Sequence, residues 1–159
     1  MTEIIQLGAD DDHEVLERFF GAGGSIRMLA DIAQSDMDKL FSYATQLFDA
    51  GEPRAACNFL MMLARIDHWN FDYWFMLGLS YQHLAQHEEA IFCFSRAGMI
   101  RIDDPRASFR AGISYRLVGN LDYAIKAFRA ALKWCGDRDT WRDIKAGVME
   151  QLAHCEREE

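Results

Sequence analysis

Proline is almost missing from this sequence: Pro53 and Pro105 are the only two in 159 residues. With half of the residues hydrophobic, that scarcity suits one compact, mostly helical domain. Basic charge is in deficit, with 17 Lys and Arg against 25 Asp and Glu and a formal net charge of −8. Such a surface repels nucleic-acid phosphates and anionic lipid, so neither is an expected partner. No apolar run approaches the roughly 18 residues of a membrane-crossing helix, and no membrane insertion is expected. The opening MTEIIQLGADDDHE lacks a basic region followed by an apolar run, so no signal peptide is expected. C-x-x-C pairs are absent. Cys57, Cys93, Cys135 and Cys155 read as reduced, mostly buried thiols of a cytosolic protein rather than a disulfide framework.

Catalytic constellations are missing as well. The stretch FFGAGGSIRML (19–29) crowds Gly21, Gly23 and Gly24 beside a serine. A dinucleotide loop would need a third glycine where Ile26 stands and a strand before it. A Walker loop needs a lysine, and this stretch has none. The glycines instead end an N-terminal helix and let the chain turn, with Ile26, Met28 and Leu29 expected to dock on the first of the repeats described below. His83 and His87 have a spacing that can share a metal, yet they straddle a turn and have no third ligand nearby in sequence. Cys93 and Cys135 have no neighbouring His or basic pair to activate them. No enzyme, metal or cofactor is expected.

What is present is a period. WFMLGLSYQHLAQHEEAIFCFSRA (74–97) aligns without gaps on SFRAGISYRLVGNLDYAIKAFRAA (108–131). Gly78 matches Gly112, Tyr81 matches Tyr115, Ala90 matches Ala124, Phe94 matches Phe128 and Ala97 matches Ala131, each pair 34 apart. One further step back gives Ala44, Leu47, Ala56, Leu60 and Leu63. This pattern resembles the tetratricopeptide repeat: Trp74, Leu77-Gly78, Tyr81, then Ala90, Phe94 and Ala97. Small residues at Gly78 and Ala90 let two helices approach, and the aromatic rings fill the space around them. Gly51, Ala85 and Gly119 recur at the turn between the helices.

The expected fold is all-α, a tetratricopeptide-repeat superhelix of three helix pairs with an N-terminal helix and a C-terminal capping helix. The boundaries read as a disordered 1–12, an N-terminal helix and glycine-rich connection over 13–36, and repeats at 37–70, 71–104 and 105–138. A capping helix and acidic tail occupy 139–159, with Trp141, Ile144, Val148 and Leu152 at helical spacing.

A second stripe runs one residue after the core positions of each first helix. It comprises Phe41, Thr45 and Phe48, then Phe75, Leu79 and Gln82, then Phe109, Ile113 and Arg116. Steps of four and three keep each set on one helix face. In a tetratricopeptide stack the first helices line the concave side, so this stripe faces a groove or packs between repeats. An exposed concave patch of this kind fits an apolar peptide partner. His83 reaches the same groove. Arg106, Arg110 and Arg116 cluster on the first helix of repeat three, where Arg106 or Arg116 is expected to hold a carboxylate or carbonyl of the peptide.

The glycine run joined to three repeats resembles the class II chaperones of bacterial type III secretion systems. The Gly-Gly-Ser-Ile-x-Met-Leu run at 23–29, LFSYATQLFDAG (40–51), IDHWNFDYWFMLG (66–78) and DDPRASFRAG (103–112) look like family segments. The similarity covers residues 15–135. It implies a non-catalytic chaperone of the bacterial cytoplasm. Such a chaperone holds an extended segment of one or two hydrophobic translocator proteins in its groove, and some members also regulate secretion genes. The family's groove aromatics fall on Phe41 and Phe48. Thr45 stands where an aromatic is common, giving a wider or more polar pocket. The resemblance further implies a homodimer through the N-terminal helix, here Val15, Leu16, Phe19 and Phe20. The alternative is a general tetratricopeptide scaffold joining folded partners.

Overall fold

The computed structural model describes residues 9–158, and every regular element in them is helical. In chain order these are α1 (Ala9–Gly21), α2 (Ile26–Leu29), α3 (Gln34–Asp49), α4 (Pro53–Ile66), α5 (Phe71–His83), α6 (His87–Ile100), α7 (Pro105–Leu117), α8 (Leu121–Cys135) and α9 (Arg142–Glu158). A single 3-10 turn, Asp139–Trp141, leads into α9. The expected disorder of residues 1–12 falls partly outside the described residues. Within the described residues, α1 starts at Ala9.

The helices begin where sequence chemistry allows. The two prolines are the first residues of α4 and α7, where the missing N–H costs nothing. Asn70 accepts hydrogen bonds from the Asp72 and Tyr73 amides, and Asn120 accepts one from Tyr123. Asp104 caps α7 by accepting from the Arg106 amide. The helix ends are as regular. After α3, Gly51 N–H donates to Phe48 O and Glu52 N–H to Leu47 O. The same pair of bonds closes α5 at Ala85 and Gln86, and α7 at Gly119 and Asn120. Each is a Schellman turn, whose next-to-last residue takes the left-handed conformation. Gly51 and Gly119 supply it at φ 80° and 81°; Ala85 adopts it at φ 56° despite its Cβ.

Successive helices pack as neighbours from α3 to α9, and each first helix also touches the next first helix. The result is two walls: α3, α5, α7 and α9 on one side, α4, α6 and α8 on the other. Their shared interior holds Ala44, Ala56, Leu60, Leu63, Leu77, Ala90, Phe94, Ala97, Ala124, Phe128 and Ala131, all essentially shielded from water. A buried leucine or phenylalanine contributes about 1.5–3 kcal/mol relative to exposure. Glycine sets how closely the walls approach. The Gly78 backbone lies directly under the Phe94 ring, and Gly112 under Phe128.

The glycine-rich connection works similarly. Gly23 at φ 92° ends α1 in another Schellman turn, with Gly23 N–H on Phe20 O and Gly24 N–H on Phe19 O. Gly24 is buried beneath the Phe19 ring, which leaves no room for a Cβ there. The expected docking of Ile26, Met28 and Leu29 is corrected: all three are exposed. Helix α2 is one turn long and anchors itself through Arg27, whose Nε lies 3.4 Å from Asp67 Oδ2. Its apolar neighbours are left pointing elsewhere.

Candidate peptide-binding groove

The stripe residues lie along the wall of first helices, half-buried at the seams between repeats. In repeat one the Phe41 ring rests 5.3 Å from the buried Tyr73 ring of α5. Phe48 meets His83 edge-on at 4.7 Å, joining the C-terminal ends of α3 and α5. Thr45 lies between them, and its Oγ1 donates to Phe41 O at 2.9 Å. The hydroxyl is thereby satisfied within the helix and adds no unpaired polar group to an apolar face.

In repeat two, Phe75 stacks on Phe71 at 5.5 Å and lies 5.8 Å from Phe94. Leu79 packs against the cluster of Ala90, Phe94 and Ala111. Gln82 is spent on structure: its Nε2 donates to Arg110 O at 3.1 Å and to Ser114 Oγ at 2.8 Å, tying α5 to α7. His83 stands exposed at the rim.

In repeat three the capping helix intrudes. Phe109 lies against Gly147 of α9, and Ile113 shares a cluster with Ile144 and Leu152. The arginines expected to meet a peptide are engaged within the chain. Arg106 holds Asp104 through Nε at 3.0 and 3.2 Å and Nη2 at 2.7 Å, while its guanidinium sits 5.0 Å from the Phe71 ring and 5.2 Å from Phe75. Burial raises the Asp104 pKa, but the Arg106 hydrogen bonds and charge outweigh it and hold the carboxyl below its ordinary value. Arg116 Nε donates to Gln151 of α9 at 3.1 Å. The signal for the Arg106 pair was in the sequence: an acidic cap, a proline, then an arginine.

Between α5, α7 and α9 a cavity of about 210 Å³ remains, lined by Phe75, Leu79, Arg106, Phe109, Arg110 and Ile144. The part contributed by Ile144 could not be read from the repeat period. A second apolar cavity of about 290 Å³, also unforeseen, opens among Met61, Trp74, Tyr81, Phe92 and Cys93, between α4, α5 and α6.

Helix α1 keeps Val15 and Leu16 exposed. Phe19 is half-occupied by Gly24 and by Phe20 at 5.3 Å, and Phe20 approaches His68 at 6.3 Å. Among the described residues no group of His, Cys, Asp and Glu could hold a metal. His87 Nδ1 lies 3.4 Å from Ser114 Oγ, turned toward α7. All four cysteines are buried, and none is in a disulfide. Burial, then the neighbouring Cys57 and Glu89, pushes the Cys93 thiol up to about 12, the reverse of an activated nucleophile.

Fold and site together define an all-α tetratricopeptide-repeat stack with a half-apolar wall of first helices. The tetratricopeptide-repeat family itself matches residues 71–97. Among known proteins, the chain is similar to the low calcium response locus protein H of Yersinia pestis, 26% identical over 137 residues, spanning 86% of this chain and 82% of that protein. Its fold is that of the type III secretion translocator chaperones. The structure of SycD from Yersinia enterocolitica superimposes with a TM-score of 0.78 at 24% identity, covering 82% of this chain and 98% of that one. A type III secretion complex from Aeromonas hydrophila gives 0.88 at 23% identity, covering 91% and 97%. PcrH, seen in complex with the chaperone binding region of PopD, gives 0.77 at 22% identity, covering 80% and 96%. Among the described residues no helix is long and apolar enough to cross a membrane.

Proposed function

We propose that this protein is a cytoplasmic, non-catalytic type III secretion chaperone that holds an extended segment of a hydrophobic translocator against its first-helix wall. The observation that carries this reading is the aromatic stripe. Phe41, Phe75 and Phe109 recur 34 residues apart on successive first helices, with Phe48 two turns beyond Phe41 on α3, and all four are half-buried rather than consumed in the core. Half-exposed aromatics on a concave wall are suited to serve as anchors, and a few such anchors dominate the affinity for a short segment. Phe41, Thr45, Phe48, Phe75, Leu79, Phe109 and Ile113 form the apolar floor, with His83 at its rim. Gln82, Arg106 and Arg116 hold the floor together. Structures of SycD with a peptide of the translocator YopD, and of PcrH with chaperone binding regions of PopD and PopB, support a translocator client and leave room for two. An acidic, soluble groove protein answers the chemical need, since membrane-spanning clients aggregate unless their apolar segments are covered.

The exposed α1 residues Val15 and Leu16, with Phe19 and Phe20, form the homodimer contact of this proposal. An adaptor joining folded partners draws its one structural support from the apolar cavity around Trp74 and Phe92, on the other wall. Co-expression with a translocator separates the two readings. Phe41→Ala with Phe48→Ala abolishes co-purification of the client while helical content is kept. Retained co-purification would refute the groove.

A further inference from the structure

The chain carries a net charge of −8, yet the groove face of α7 bears three arginines. Two are committed, Arg106 to Asp104 and Arg116 to Gln151. Arg110 differs. Among the described residues no hydrogen bond or ion pair reaches its guanidinium, whose one ring contact is Phe109 at 6.0 Å. It is half-buried, and burial by itself draws its pKa below the ordinary arginine value. A cation withdrawn from water without a counter-charge is unfavourable, and a ligand carboxylate would relieve that cost.

The repeat scaffold does not demand an arginine here. The matching residue of repeat two is Met76, and that of repeat one is Ser42. The position opens on the cavity of about 210 Å³ whose remaining walls are Phe75, Leu79, Phe109 and Ile144, beside Arg106. An apolar cavity with one uncompensated cation at its edge selects for two neighbouring chemistries.

We propose that this cavity is a bipartite subsite: it takes one apolar side chain of the bound segment, while Arg110 takes the carboxylate of an Asp or Glu within two residues of that anchor. Alternate residues of an extended segment project to the same side, which lets both groups engage one wall. The inference rests on the groove reading above and adds what the client must carry opposite repeat three.

The test uses the full-length chain and fluorescent ten-residue peptides with a fixed Leu, flanked in turn by Asp, Asn, Lys or Ala. Binding is compared for the wild type, Arg110→Met and Arg110→Lys. Methionine already occupies this position in repeat two, and thermal melting checks that both variants fold. The wild type is expected to bind Asp peptides about tenfold more tightly than their Asn counterparts. That preference vanishes in Arg110→Met and survives in Arg110→Lys. Equal binding of Asp and Asn peptides, or an Asp preference that persists in Arg110→Met, overturns the subsite. If those peptides are still lost on Phe41→Ala with Phe48→Ala, the groove itself stands. An absence of binding by every peptide overturns both.

Discussion

A Cβ at Gly78 would lie 2.6 Å from the Phe94 ring, so the two residues constrain one another across the hairpin of repeat two. Gly112 and Phe128 repeat the relationship at 2.5 Å. Repeat one solves the same problem with Ala44 against Leu60, a larger residue on one side and a smaller one on the other. In an open helix Gly→Ala would stabilise by about 1 kcal/mol. Here Gly78→Ala is expected to destabilise by about 1–3 kcal/mol through overpacking. Urea unfolding of Gly78→Ala, Phe94→Leu and the double variant forms a cycle. The double variant, which copies the Ala44–Leu60 pair, costs less than the sum of the singles.

Ala85 occupies a left-handed position that its counterparts Gly51 and Gly119 fill with glycine. The Cβ carries a steric cost there that exceeds the entropy gained by having a side chain. Ala85→Gly is expected to raise stability by about 0.5–1 kcal/mol, and Gly119→Ala to lower it by about 1 kcal/mol. Unfolding midpoints measured in the same denaturant series check both signs.

The Asp104–Arg106 pair makes a pH-dependent contribution. The Asp104 pKa is depressed in the folded chain. Its stabilisation is therefore complete above the unfolded value of about 3.9 and is lost as pH falls through the lower folded value. Asp104→Asn keeps a capping oxygen but removes the charge. It is expected to cost about 1–3 kcal/mol at pH 7, and the difference from wild type should shrink as pH falls below about 4. Melting curves from pH 7 to pH 2.5 check the direction.

The dimer proposal is best tested at residues that do nothing else. Phe19 also covers Gly24, so changing it disturbs the end of α1. Val15 and Leu16 are exposed and free of that role. Val15→Glu with Leu16→Glu is expected to give a monomer by light scattering with an unchanged melting temperature. A dimer that persists would move the interface elsewhere.

The periodicity was legible because every repeat must place small residues opposite large ones, and 34-residue spacing returns those pairs in register. Turn positions were legible for the same reason, even where Ala85 replaces glycine. The capping helix's reach over repeat three was not. Gly147 against Phe109 and Ile144 at the cavity belong to no copy of the period. Arg106 read as a ligand-facing charge because its partner comes two residues earlier, across the helix start, outside the three- and four-residue spacing by which helical neighbours are recognised. The apolar residues of α2 read as a docking face, but one helical turn anchored by Arg27 has no such face to offer.

The central claim, that the client lies along the wall of first helices, is tested most directly by photo-crosslinking. A benzophenone amino acid is placed at Thr45 on that wall, or at exposed Phe92 on the opposite one, in chain co-expressed with a translocator. Crosslinks to an internal segment of the translocator from position 45, and none from position 92, are the expected result. Crosslinks from position 92 alone would contradict the groove and favour an adaptor surface around Trp74.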